Sequence, residues 1–221
     1  MELTLVRHGQ STANRDGILQ GQYDAPLSEL GRRQAEHLGG WFASRAMRWD
    51  AVYCSPLSRA RDTAAIITER VGGASPSEDA DLAEIHAGDM QGKTGGVLRA
   101  EHPSFYARGL EGLADYAEFN GESYADVQVR VRRFLDRIMA RHRPAAERVL
   151  LVSHGGVMFQ LAKMLICQPV PRVMLLKFGN CSVTRVILRE RRGTYIGEIE
   201  WHMPLDLLGG EPSGGAAGLL Y

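Results

Sequence analysis

Three short apolar runs, Leu3–Val6, Ala51–Cys54 and Val149–Val152, constrain the fold of this chain more than any other feature. Each is too short and too uniformly apolar for an amphipathic helix. Each gives way to glycine, serine or proline within a few residues, and each is succeeded by a stretch with helical spacing. After the first, Ser28 stands where an N-cap belongs. Leu30, Gln34, Leu38, Trp41 and Phe42 then recur at helical intervals, which predicts an amphipathic helix over about 28–46. After the second, Leu57, Ala60, Ala64, Ile67 and Val71 mark a helix that Gly72-Gly73 ends. After the third, Gly155-Gly156 opens an apolar helix to about Ile166. A further helix with an Arg-rich outer face runs from Glu122 through Val127, Val131, Phe134, Leu135 and Ile138. Ser182–Leu188 and Thr194–Trp201 alternate around Arg192-Gly193 as a β-hairpin does. This order predicts an α/β protein: a three-layer α/β/α sandwich with a mostly parallel central sheet and a C-terminal antiparallel hairpin.

The 221 residues suit one domain, placed at 1–205. Residues 73–81 read as a Ser/Pro/Asp-rich loop. Residues 86–121 show no clean period and read as a cap-like insertion, since long irregular stretches in compact domains are often lids or binding loops. The Gly-rich tail, 206–221, is expected to be mobile, although its apolar end, Leu219, Leu220 and Tyr221, could dock on the body or on a partner. Lys plus Arg and Asp plus Glu number 26 each. The zero net charge lacks the basic excess of a nucleic-acid or membrane-surface protein. No signal peptide or membrane-spanning apolar run is visible, so a cytoplasmic protein is expected. Cys54, Cys167 and Cys181 are widely spaced. They fit neither a disulfide framework nor a zinc site; Cys54 and Cys181 read as buried thiols in strand-like runs.

In an open α/β sheet, ligands bind beyond the carboxyl ends of the strands, and the titratable residues fall there. Arg7-His8-Gly9 follows the first run, Ser55 and Arg59 the second, and His154 the third. A neutral imidazole is a good nucleophile towards phosphorus. A neighbouring glycine lets phosphate approach the backbone, and Arg7 offers a planar donor fork for its oxygens. Taken alone, a histidine at a strand end is more often a hydrogen-bonded structural residue. Arg59 lies in the first turn of its helix, where the macrodipole disfavours a cation, unless an anion sits there too; otherwise it is a solvated surface arginine, as Arg61 is read. His154 could bind the transferring phosphate beside helix N–H groups. A leaving alkoxide needs a proton, and Glu84 could donate it. His37, His102 and His142 read as surface residues. His86, close to Glu84, is a lesser candidate for the site, and His202 has no motif around it.

Six blocks in this order carry a resemblance: Leu5-Val6-Arg7-His8-Gly9-Gln10-Ser11; Asp24-Ala25-Pro26-Leu27-Ser28 with Gly31; Ser55-Pro56-Leu57-Ser58-Arg59-Ala60 with Thr63-Ala64; Leu82-Ala83-Glu84 with Gly88 and Gly92; Gly121-Glu122-Ser123; and Val152-Ser153-His154-Gly155-Gly156. Over about residues 3–165 the chain resembles the histidine phosphatase superfamily, in its phosphoglycerate-mutase-like, cofactor-independent phosphatase branch. The resemblance implies that His8 is the phosphorylated nucleophile and that Arg7, Arg59 and His154 form the phosphate pocket. It makes Glu84 the proton donor that later activates water, and it matches Asn14, Gln20, Gly21 and Gly155 to positions that touch phosphate or substrate. It implies no cofactor and no metal, a small phosphate monoester as the partner, and no nucleic acid or membrane. Family members are often homodimers, but no interface is legible in this chain. The family often has an aromatic residue at the place of Met90, a departure that bears on pocket shape. A mutase using the same histidine is the alternative, although the Tyr-Gly-Gly-Leu-Thr-like insertion of the mutases is missing. A non-catalytic phosphoester-binding protein is the third reading. Phe105, Tyr106, Leu110, Leu113, Tyr116 and Phe119 either wall the pocket or form the cap's own small core. Lys93, Arg99 and Arg108 either greet an acidic substrate or are solvated.

Overall fold

The computed structural model describes residues 1–110, 115–142, 147–166 and 177–213. Its strands are β1 (Glu2–Arg7), β2 (Ala51–Cys54), β3 (Ser77–Glu78), β4 (Arg148–Ser153), β5 (Val183–Arg191) and β6 (Thr194–Met203). They form one sheet in the order β3-β2-β4-β1-β5-β6. β3, β2, β4 and β1 pair in parallel, and β5 and β6 add an antiparallel hairpin beside β1. The helices are α1 (Thr12–Arg15), α2 (Glu29–Ser44), α3 (Ser58–Val71), α4 (Gly95–Glu101), α5 (Pro103–Leu110), α6 (Tyr124–Arg141) and α7 (Gly155–Ile166).

Strand alternation sorts side chains onto two faces. Leu3, Leu5, Val149 and Leu151 join one core with Val127, Phe134 and Leu135 of α6 and Val157 and Leu161 of α7. Val6, Val52, Leu150 and Val152 join a second core with Leu38 and Phe42 of α2 and Ala60, Ala64 and Ile67 of α3. The expected α/β/α layering and C-terminal hairpin are therefore present. Ser28 caps α2 through its hydroxyl, which accepts from the Gly31 amide at 3.0 Å. Gly72, at φ 73°, ends α3 as its sequence predicted.

Three segments differ from expectation. The stretch 86–121 contains α4, α5 and two short 3₁₀ turns, and Leu98, Phe105 and Tyr116 are buried in the α6–α7 core. Its aromatics thus pack in the core, and Tyr116 also lines the site cavity. The loop 73–81 holds β3, a two-residue edge strand. The tail is not loose up to residue 213: Leu205 and Leu208 are buried against the α2–α3 core, and Gln34 Nε2 donates to the Glu211 carbonyl at 2.9 Å. Residues 214–221, and with them the docking expected of Leu219, Leu220 and Tyr221, lie outside the described residues, as do Leu113 and Cys167. Cys54 is in β2, with its thiol pushed up to about 12 by burial. Cys181 is buried in a turn at φ 52° rather than in a strand. Among the described residues no helix is long and apolar enough to cross a membrane.

Candidate active site

Register brings the site together. Val6 of β1 and Cys54 of β2 both lie opposite Val152 of β4, so the three strands end level. The His8 amide then bonds to the Ser153 carbonyl, and the Ser55 amide to the Val152 carbonyl, both at 3.0 Å. His8, Ser55 and His154 emerge side by side at the carboxyl edge, at a cavity of about 500 Å³. Arg7, His8, Asn14, Gln20, Gly21, Arg59, Glu84 and Gly155 all line it. Of the residues expected from sequence only His154 does not: it is fully buried behind His8, with ring centroids 5.0 Å apart.

His8 is 2% exposed. Its Nδ1 lies 2.7 Å from the Gly9 carbonyl. A carbonyl only accepts, so Nδ1 carries the proton and Nε2 keeps its lone pair. Burial first, then the charges of Arg59 and Arg7, holds this imidazole well below the ordinary histidine pKa. His154 is held low in the same way, by burial and then Arg59. Its Nε2 shares a 2.7 Å hydrogen bond with Ser55 Oγ, which fixes the ring. Both imidazoles are neutral at pH 7.

Arg59 overturns the surface reading: it is fully buried. Its NH2 donates to the Gly21 carbonyl at 2.8 Å and its NH1 to the Tyr23 carbonyl at 3.1 Å, while Nε has no partner among the described residues. Burial lowers its pKa to about 10, so it remains a cation at neutral pH. The Glu84 and Asp24 carboxylates act on its charge from a distance, and the cavity in front of it leaves room for an anion to bond to it directly. Arg7 is oriented by the Phe178 carbonyl, 2.6 Å from NH1. The Glu84 carboxylate accepts from the Ile85 amide at 2.9 Å and from the Gly156 and Val157 amides of α7 at 3.3 Å.

The remaining residues act through their backbone or their neighbours. Gly21, at φ 52°, supplies the carbonyl that holds Arg59, and a Cβ there would lie 2.4 Å from Gln91 Oε1. Gln20 accepts from the Ser11 hydroxyl at 2.7 Å, and Asn14 Oδ1 from the Ser11 amide at 3.2 Å. Sequence reasoning gave no role to Ser55, Thr63 or Asn180. Thr63 Oγ1 accepts from the Gly9 amide at 3.0 Å, and Asn180 Nδ2 donates to the His8 carbonyl at 3.0 Å. Ser55 opens the Ser-Pro-Leu-Ser-Arg block and Thr63 belongs to the Thr63-Ala64 pair that accompanies it; Asn180 carries no local signal.

The other histidines do not line the cavity, and His37 is exposed as expected. His142 and His102 are half-buried, not surface residues: His142 contacts the Tyr53 hydroxyl and Glu147, and His102 packs on the Phe119 ring. His86 accepts from the Gly88 amide at 3.2 Å and does not line the cavity. Of the three cap cations, Lys93 pairs with Glu101 and Arg108 with Glu118. Arg99 lines the cavity and has no carboxylate partner among the described residues.

Residues 3–198 match the family model of the histidine phosphatase superfamily (branch 1). The chain belongs to that superfamily. A metal-independent phosphoserine phosphatase of Arabidopsis thaliana is 35% identical over 196 residues, covering 86% of this chain and 78% of the relative. The glucosyl-3-phosphoglycerate phosphatase of Mycobacterium tuberculosis is 34% identical over 212 residues, covering 91% and 92%. A probable phosphoglycerate mutase of Klebsiella pneumoniae is 32% identical over 186 residues, covering 84% of each. Among solved structures, the mycobacterial glucosyl-3-phosphoglycerate phosphatase in complex with VO3 superimposes with a TM-score of 0.78 at 31% identity, covering 90% of this chain and 97% of the other. As a histidine phosphatase with phosphatases among these relatives, the chain is a hydrolase of phosphate monoesters.

Proposed function

We propose that this histidine phosphatase works through a phosphohistidine on His8 Nε2, and that its preferred esters carry a second anionic group. One observation carries the mechanism: a buried, neutral imidazole whose Nδ1–H is committed to the Gly9 carbonyl, leaving Nε2 as the nucleophile beside Arg7 and Arg59. In the first transfer the Nε2 lone pair forms the N–P bond as the ester P–O bond breaks. Arg7 and Arg59 compensate charge on the three non-bridging oxygens, and Glu84 gives its proton to the departing alkoxide. In the second, the Glu84 carboxylate takes a proton from water, whose oxygen attacks phosphorus as the N–P bond returns its electron pair to Nε2. His154 and Ser55 set the wall behind His8. Asn14, Gln20, Gly21 and the Gly155 amide bound the phosphate end.

The cavity is far larger than a phosphate group, and Arg99, exposed and lying over the Tyr106 ring, lines it with no carboxylate partner among the described residues, which supports a carboxylate or second phosphate at the distal end of the substrate. The balanced charge of the chain supports a small-molecule partner over nucleic acid. Relatives named as mutases keep phosphate transfer between hydroxyls as the second reading.

Phosphate release from a panel of monoesters in the presence of chelator, by the wild type and by His8→Ala, tests the proposal. Release by the wild type alone, with acid-labile phosphate trapped on the protein after rapid quenching, is the expected result. Interconversion of 2- and 3-phosphoglycerate without net release transfers the case to the mutase.

A further inference from the structure

Glu84 lies on a segment that belongs to no helix or strand, so its position depends on bonds made to it from elsewhere. Its carboxylate is met by the Ile85, Gly156 and Val157 amides, while its backbone is held through Gln22 and through Arg130, whose partner is Glu122 of the Gly121-Glu122-Ser123 block, to which the proposed chemistry gives no task. Arg130 of α6 is 8% exposed. Its Nε and NH2 grip the Glu122 carboxylate at 2.8 and 3.0 Å, its NH1 donates to the Asp81 carbonyl at 2.7 Å, and NH2 also reaches the Glu84 carbonyl at 3.2 Å. Glu122 closes the strap from the other side. Its Oε2 accepts from the His86 amide at 2.8 Å, and its own amide donates to the His86 carbonyl at 2.8 Å. Gln22, from the loop that also holds Arg59 through Gly21 and Tyr23, donates to the Glu84 carbonyl at 3.0 Å. The backbone on both sides of Glu84 is therefore clamped by one partly buried, bidentate ion pair and one amide.

We infer that Glu122, Arg130 and Gln22 are positioning residues that hold Glu84 in register with the departing ester oxygen, so that loosening the strap weakens proton donation specifically. The inference rests on Glu84 being the proton donor. A bidentate guanidinium–carboxylate pair fixes both distance and orientation, and proton transfer tolerates little displacement of the donor. The ion pair itself touches neither the cavity nor phosphate, so its loss leaves the cations around His8 in place.

The leaving group separates this role from general support of the fold. Departure of an alkoxide needs the proton; departure of p-nitrophenolate does not. We would measure kcat/KM, which covers steps through the first irreversible one, for O-phosphoserine or glycerol 3-phosphate and for p-nitrophenyl phosphate, in wild type, Glu84→Gln, Glu122→Gln and Gln22→Leu. Glu84→Gln should lose roughly 100-fold or more on the alkyl esters and much less on the aryl ester. Glu122→Gln should lose roughly 10-fold or more on the alkyl esters with little change on the aryl ester, and Gln22→Leu should shift the ratio in the same direction by less. Equal losses on both esters in Glu122→Gln, beside a selective loss in Glu84→Gln, overturn the positioning role alone. An unselective loss in Glu84→Gln overturns the proton-donor reading and the strap's purpose with it. Should Glu122→Gln not fold, Gln22→Leu decides, because it removes one donor to the Glu84 carbonyl and leaves the ion pair intact; an unchanged ratio there overturns the inference.

Discussion

A fully buried guanidinium, hydrogen-bonded to two carbonyls and within reach of the Glu84 and Asp24 charges, is the most informative residue in this molecule. Arg59 keeps its charge in a place where burying one is expensive, a cost that the proposed binding of phosphate beside it would offset. Lysine cannot reproduce the arrangement, because a single ammonium cannot hold the Gly21 and Tyr23 carbonyls and also present a planar fork to phosphate. Arg59→Lys should therefore cut kcat/KM by about 100-fold or more, the scale of losing one preorganised charge-stabilising group; steady-state kinetics against any active ester checks this. Arg99 makes the opposite prediction. It sits at the cap side of the cavity, away from the chemistry, so Arg99→Gln should raise KM for an ester with a second anionic group by roughly tenfold and leave kcat alone, since uniform binding appears in KM. A neutral-tailed ester should show no such change, and a matching KM rise there counts against the second-anion proposal.

At the scale of elements, the N-terminus of α2 meets the His8 loop at backbone distance. A Cβ on Gly31 would stand 2.0 Å from the Gln10 carbonyl oxygen. Nothing flexible can yield, so Gly31→Ala should destabilise the protein by about 1–3 kcal/mol and displace the loop that carries His8. Gly40, exposed on the same helix with nothing within 4 Å of a Cβ, is the control. Gly40→Ala should stabilise by about 0.5–1 kcal/mol, and chemical denaturation of the two variants reads both signs. The contrast between α2 and α4 also explains what sequence could convey. α2, α3 and α6 are long enough for an apolar stripe to declare itself, and their caps, Ser28 and Gly72, were readable as such. α4 and α5 have seven and eight residues, too few turns for a period, and Pro103 reads equally as a break or as the first residue of a helix. Residues at the strand ends were legible because short apolar runs point to them. The burial of Arg59, the place of His154 behind His8 and the bond from Asn180 were not, since each depends on segments far apart in sequence meeting in space.

For the whole molecule, two neutral buried imidazoles set how stability follows pH. His8 and His154 have folded-state pKa values below the ordinary value near 6.5. As pH falls through that value the unfolded chain takes up protons that the folded chain refuses, so stability falls with falling pH, by up to about 1.4 kcal/mol per pH unit for each. The loss continues down to the folded pKa values. His8→Gln should flatten the slope, and denaturant titrations from neutral to mildly acid pH would show it; equal slopes in wild type and variant contradict the neutral pair. The sheet order has a different consequence, for synthesis. β1 is made first, yet one of its neighbours is β4, where Glu2 faces Arg148, and the other is β5. During synthesis, the strand that leads to His8 has neither of its partners until residues 8–147 have followed it. Such delayed pairing makes folding slow and leaves an apolar edge to be shielded meanwhile. A polypeptide interrupted before residue 148 already carries His8, Arg59 and Glu84 but lacks β4, the strand that joins β1 to β2.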